Sequence, residues 1–279
     1  MREIVHGLFK SNNTKVMGII NVTPDSFYSG SRVNEIDLLN KVEEMIRYGV
    51  DIIDVGGEST RPGAKPVPLE EELRRTVNAV KLIRKHFEIP ISVDTYKSEV
   101  ARLSLEYGAD IINDISAMRF DEKMVEVAAQ YKCPVILMHM KGTPRTMQEN
   151  PQYDDVVEEI IEFFRERVEF LKSFGVDNII VDPGIGFGKK LEHNLEILRR
   201  IDEFKRLGYP ILIGASRKSM IGMLLNLPPE ERLNGTLAIT AYCVLHNVEF
   251  IRVHDVKENV EVVKIIEAIK NGEYIEKKQ

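Results

Sequence analysis

Asp94, Asn113 and Asp182 each stand at or near the end of a short β-branched run, and Met138 ends another run between them. Two ionised carboxylates and a side-chain amide suit the paired donors of an aminopyrimidine-type ring, with an apolar side chain to cover its face. A second set is cationic: Arg61, Lys218, Arg252 and His254, with Asn21 nearby. Guanidinium and ammonium groups of this kind bind phosphate oxygens. The chain as a whole carries a formal net charge of −6. That balance argues against nucleic acid or an anionic membrane as a global partner, so an anionic ligand needs a local basic pocket. A ring pocket beside a diphosphate clamp is the chemistry these residues point to.

Other motifs are weaker. Gly184-Ile185-Gly186-Phe187-Gly188-Lys189 has neither the Walker A nor the G-x-G-x-x-G spacing, so it reads as a tight turn rather than a nucleotide fingerprint. The six histidines show no zinc-type pairing, which argues against a transition-metal site. His139 reads equally as a packed residue or a functional one. Arg217 reads as a salt-bridged scaffold residue, and Glu58 as a brace for its own loop.

These residues need a frame that brings them together. Apolar runs at 15–20, 51–55, 90–94, 110–115, 134–139, 178–182, 210–214 and 249–253 alternate with amphipathic helical stretches such as 156–175. Near-continuous hydrophobic strands are expected where both faces of a sheet are covered. Eight such units predict a (β/α)8 TIM barrel, one domain over 1–279, with a doubly wound open sheet as the alternative. Residues 1–14 are expected to form a closing segment, a strand or hairpin, at the barrel floor. In a TIM barrel the site lies on the loops after the strands, where the chemical residues above accumulate. The helix at 233–246 is apolar on most of its circumference, which predicts burial against the barrel and a second subunit. Cys133 and Cys243 are far apart and read as buried thiols in a reducing cytosol. The opening is too mixed for a secretory signal, and no apolar run approaches the roughly 20 residues of a membrane helix. A cytoplasmic protein with no membrane partner is therefore expected.

The segments MGIINVTPDSF (17–27), DVGGESTRPG (54–63), SVDT (92–95), NDIS (113–116), DPGIGFGK (182–189), GASRKS (214–219) and RVHDV (252–256) resemble the signature segments of the dihydropteroate synthase family, in order and from first strand to last. The resemblance implies a transferase that condenses 6-hydroxymethyl-7,8-dihydropterin diphosphate with p-aminobenzoate, releasing pyrophosphate. It implies a pterin held by Asp94, Asn113, Asp182 and Lys218, lined by Met138, Phe187 and Gly214. The diphosphate would lie at Asn21, Arg61, Arg252 and His254, with Mg2+ at Asn21 and on the diphosphate itself. The p-aminobenzoate pocket would involve Phe27, Thr60, Pro62, Phe187, Lys218 and Ser219, and the assembly would be a homodimer. Asp94, Lys218, Arg252, His254 and Arg61 are the expected catalytic set. Replacing Arg252 with Ala is expected to leave the pterin pocket intact while crippling turnover.

One segment departs from the family pattern. After Asp25-Ser26-Phe27 the family usually continues Ser-Asp-Gly-Gly, whereas this chain reads Tyr28-Ser29-Gly30-Ser31. Two rival readings stay open on the sequence. A methyltetrahydrofolate-binding methyltransferase domain would share the pterin pocket but has no need of a diphosphate clamp. A catalytically silent pterin-binding barrel would bind ligand without turning it over.

Overall fold

A computed structural model describes residues 3–10, 13–22, 32–60 and 63–272. Its eight strands are β1 Lys15–Asn21, β2 Ile52–Gly56, β3 Ile91–Asp94, β4 Ile111–Asp114, β5 Val135–Met138, β6 Ile179–Asp182, β7 Leu212–Ile213 and β8 Phe250–Val253. They pair in parallel in the order β6-β5-β4-β3-β2-β1-β8-β7. A parallel bridge between Val181 and Ile211 joins the two outer strands, so the sheet closes into a barrel.

The strands are buried almost throughout, which explains their near-continuous apolar sequence. Met17, Ile52, Ile111, Ile136, Ile180, Leu212 and Phe250, from seven different strands, pack in one cluster. Several strands end in a polar residue: Asn21 on β1, Asp94 on β3, Asp114 on β4 and Asp182 on β6. β7 is shorter than its run of 210–214 predicts. Pro210 has no amide hydrogen to give to a ladder, and the Ile211 amide is taken by the Glu249 carboxylate at 2.8 Å.

The opening segment is a helix, α1 Glu3–Leu8, rather than the expected strand or hairpin. Val5 and Leu8, one turn apart, are buried in the same cluster as the strand residues above. A barrel closed on itself leaves no free edge for a further strand to pair with, whereas one apolar helical face can still be covered.

The remaining helices are α2 Arg32–Tyr48, α3 Leu69–His86, α4 Ser98–Glu106, α5 Met124–Tyr131, α6 Val156–Ser173, α7 Leu191–Arg199, α8 Ser219–Leu225, α9 Leu233–Leu245 and α10 Val256–Asn271. The start of α6 shows how the sequence sets such boundaries. Asp155 accepts from the amides of Val157 at 3.0 Å and Glu158 at 3.1 Å, and Gly175 takes a φ of +79° just past the end. Cys133 and Cys243 are free and buried, and burial pushes both thiols up to about 12. Among the described residues no helix is long and apolar enough to cross a membrane.

Candidate active site

Parallel register sets the polar residues side by side. Gly56 pairs with Asp94, Asp94 with Asn113, and Met138 with Asp182. Arg252 reaches from β8 to join them. Its Nε donates to Asp54 Oδ2 at 2.6 Å and its Nη2 to Asp94 Oδ2 at 2.6 Å. Asn113 Nδ2 lies 3.4 and 3.3 Å from the two Asp54 oxygens. Asp54, wholly buried, therefore sits behind both the amide and the guanidinium. Sequence reasoning passed over it, although a carboxylate two residues beyond the inward-facing Ile52 was a readable signal.

The Asp94 carboxylate is the focus of this network. Its Oδ1 is buried and has no hydrogen-bond partner. A buried acceptor with nothing to accept from is costly, and a ring N–H is the kind of donor that would satisfy it. Burial pushes the Asp94 carboxyl up to about 7, while Arg252 pulls it back and Asp54 adds to the rise.

A second group forms around β6. Asp182 Oδ1 accepts the Gly184 amide at 2.7 Å. Lys218 donates to the Ile185 carbonyl and stands 4.1 Å over the Phe187 ring. Burial raises the Asp182 carboxyl, and Lys218 opposes that. Burial brings the Lys218 ammonium down to about 7, opposed by Asp182. A Cβ on Gly214 would lie 3.8 Å from both Arg252 Cβ and Asp182 Oδ2, so glycine keeps the space between the two groups open. The apolar cover is wider than Met138 and Phe187: Ile115, Met140, Met147 and Tyr96 belong to the same cluster.

The glycine-rich turn is a seat for this group. Gly184, at φ +72°, would put a Cβ 2.0 Å from the His139 carbonyl oxygen, so no side chain fits there. Lys189 is buried beneath it, with Nζ 2.9 Å from His139 Nδ1 and 3.0 Å from the Phe187 carbonyl. His139 is itself buried, stacked edge-on to Phe163 at 4.9 Å, and burial holds its pKa well below the ordinary value. Of the two readings of His139, the packed one matches this environment.

At the end of β8, His254 meets the loop after β7. Ser216 Oγ lies 3.0 Å from His254 Nδ1 and accepts its backbone N–H at 3.1 Å. Arg217 forks onto Asp255 at 2.7 and 2.8 Å and is the scaffold residue the sequence suggested. Glu58 does more than brace its own loop: it receives Lys97 and the Tyr96 hydroxyl from the loop after β3. Asn21 ends β1, Thr60 is half-buried, and Ser219 is exposed at the start of α8. Phe27, Ser29, Arg61 and Pro62 lie outside the described residues.

The structure thus brings Asp94, Asn113 and Arg252 into one network, and Asp182, Lys218, Phe187 and Gly214 into another. Arg252 was expected to serve the diphosphate alone. With two of its nitrogens on Asp54 and Asp94, it belongs to the buried carboxylate network as well.

The sequence matches the pterin binding enzyme family over residues 17–254. It is 50% identical over 256 residues to the dihydropteroate synthase of Escherichia coli (strain K12), covering 91% of this chain and 90% of the relative. The chain belongs to the dihydropteroate synthase family. As a dihydropteroate synthase it is a transferase. Solved structures agree with that assignment. The Yersinia pestis dihydropteroate synthase with a sulfonamide drug complex superposes with a TM-score of 0.88 at 43% identity, covering 93% of this chain and 95% of that one. The Xanthomonas albilineans dihydropteroate synthase with 4-aminobenzoic acid gives a TM-score of 0.86 at 38% identity, covering 92% and 93%.

Proposed function

We propose that this dihydropteroate synthase joins 6-hydroxymethyl-7,8-dihydropterin diphosphate to p-aminobenzoate, giving 7,8-dihydropteroate and pyrophosphate. The observation that carries the site assignment is the Arg252 bridge to Asp54 and Asp94, beside a buried Asp94 Oδ1 with no partner. The pterin is held by Asp94, Asn113, Asp182 and Lys218 between Met138 and Phe187, with Gly214 leaving it room. Asn21, Arg61, Arg252 and His254 hold the diphosphate. Phe27, Thr60, Pro62, Phe187, Lys218 and Ser219 form the p-aminobenzoate pocket.

The C–O bond to the diphosphate breaks largely before attack, and its electron pair leaves with pyrophosphate. The positive charge left on the methylene carbon spreads into the dihydropterin, where the Asp94 carboxylate stabilises it. Arg61, Arg252 and His254 stabilise the leaving group. The aniline nitrogen of p-aminobenzoate then bonds to that carbon and gives up a proton. Catalysis of this kind is positioning and fixed charge, with no covalent enzyme intermediate.

The chain offers Mg2+ a fitting but minimal site. Asn21, at the end of β1, would supply one hard amide oxygen, and among the described residues no group of three or more His, Cys, Asp and Glu is arranged to hold a metal. That donor set suits an ion carried mainly by phosphate oxygens and water. When bound, Mg2+ would draw charge from the diphosphate oxygens and so favour its departure.

The protein is further proposed to act as a homodimer in the cytoplasm, where its two thiols stay reduced. Support for the dimer comes from neighbouring helices that leave large apolar side chains exposed: Met223, Leu224 and Leu225 on α8, Leu245 on α9, and Ile265 and Ile269 on α10.

The site assignment is tested with Arg252→Ala. Turnover should fall at least about 100-fold, the scale of one lost transition-state donor. Affinity for 6-hydroxymethyl-7,8-dihydropterin without its diphosphate should fall too, because Asp54 and Asp94 lose their shared cation. Near-normal turnover would contradict the assignment; intact pterin affinity would return Arg252 to the diphosphate alone.

A further inference from the structure

We infer that Ser216 is a positioning residue that sets the tautomer of His254, keeping the imidazole neutral with its proton on Nε2 as a donor to the diphosphate. The inference rests on the reading of His254 as a diphosphate contact.

The Ser216 oxygen has a fixed number of hydrogens to give and to take. Ser216 is 6% exposed, and its hydroxyl has one hydrogen to give and two lone pairs. One lone pair accepts the His254 backbone N–H at 3.1 Å, and Nδ1 of the same residue lies 3.0 Å away. Among the described residues, Nδ1 is the one acceptor paired with the hydroxyl hydrogen. Were Nδ1 protonated, Ser216 would accept twice, and its own hydrogen would be buried without a partner, which is unfavourable. The hydroxyl therefore donates to Nδ1, and the ring proton resides on Nε2.

The surrounding geometry separates this role from simple bracing. Arg217, the next residue, takes a φ of +55° and forks onto Asp255, the residue after His254, at 2.7 and 2.8 Å. Its amide also donates to Thr236 Oγ1 at 3.0 Å. Two consecutive residues of the β7 loop thus bind two consecutive residues of the β8 loop. The ion pair fixes the spacing of the loops, and the serine acts on the proton. A neutral Nε2–H gives the leaving diphosphate a donor without adding a further full charge beside Lys218 and Arg252.

Two-bond 1H–15N spectra of the histidine side chains in the full-length protein test this directly, with His254 assigned by its loss in His254→Asn. Wild type should show an unprotonated, pyridine-type Nδ1 and a protonated, pyrrole-type Nε2. Ser216→Ala should move both signals toward a tautomer mixture, Ser216→Thr should restore them, and Arg217→Lys should leave them in place. Affinity for inorganic pyrophosphate with Mg2+ should fall about tenfold in Ser216→Ala, as for loss of a well-oriented hydrogen bond to a charged group, and recover in Ser216→Thr. A wild-type Nδ1–H tautomer, or unchanged signals in Ser216→Ala, would overturn the role of Ser216 whatever the affinities. The expected spectra together with wild-type pyrophosphate affinity in His254→Asn would overturn the diphosphate reading, and this inference with it.

Discussion

The residues proposed to do the chemistry are those whose charge is hardest to hold where they stand. Asp94 is buried with a carboxyl pushed up to about 7, despite Arg252 beside it. Only its ionised form can stabilise a cation on the pterin, so the sign of the pH effect follows. Below about 7 the carboxyl is progressively neutral, and kcat/KM for the pterin diphosphate should drop about tenfold per pH unit on that limb. A rate profile from pH 5 to 9 checks this, and Asp94→Asn, though slow, should lose the limb. A profile flat down to pH 5 would show that Arg252 keeps Asp94 ionised throughout. At this scale the sequence disclosed the residues at the ends of strands, because a polar residue ending an apolar run is visible in one dimension. It did not disclose Asp54 or Ser216. Their roles depend on partners 198 and 38 residues away, and no local pattern encodes such a meeting.

At the scale of elements, the loops are pinned to the helices behind them. Lys97, after β3, donates to Glu58 in the β2 loop, to Glu72 on α3, and to the Val67 carbonyl at 2.9 Å. Glu72 also accepts from Thr95 Oγ1 at 2.6 Å, next to Asp94. All three charged groups are largely buried. Lys97→Met leaves two buried carboxylates without their cation and should cost about 3–5 kcal/mol of stability, measured by denaturant unfolding. The double variant Lys97→Met with Glu72→Gln should recover part of that loss. An unchanged midpoint in the single variant would show that the cluster is solvated in the folded protein. Strand positions were legible because burial on both faces writes itself as an unbroken apolar run. α1 was not: among its described side chains Val5 and Leu8, one turn apart, are those buried to seat it, and its short sequence fits a strand as well as a helix.

For the whole molecule, closure of the barrel explains why residues as far apart as Asp54 and Arg252 meet: the register of eight strands, not proximity in sequence, brings them together. The sequence makes α9 apolar on most of its circumference. In the structure Thr236, Thr240, Cys243 and Val244 face inward, while Leu245 beside them is 52% exposed. On α10, Ile265 and Ile269 are one turn apart and 61% and 69% exposed. Replacing both with Glu should convert a dimer to a folded monomer by light scattering, since two charges cannot be buried in an apolar interface without partners. An unaltered mass would place the interface elsewhere or remove it.

By this reading the barrel catalyses the condensation although Ser29 stands where the family resemblance implies an acidic residue. The most direct measurement is pyrophosphate release from 6-hydroxymethyl-7,8-dihydropterin diphosphate with Mg2+, with and without p-aminobenzoate, and with product identified by mass. Release should depend on p-aminobenzoate and yield a product with the mass of 7,8-dihydropteroate. Tight binding of the pterin diphosphate with no release under either condition would contradict it and leave a silent pterin-binding barrel.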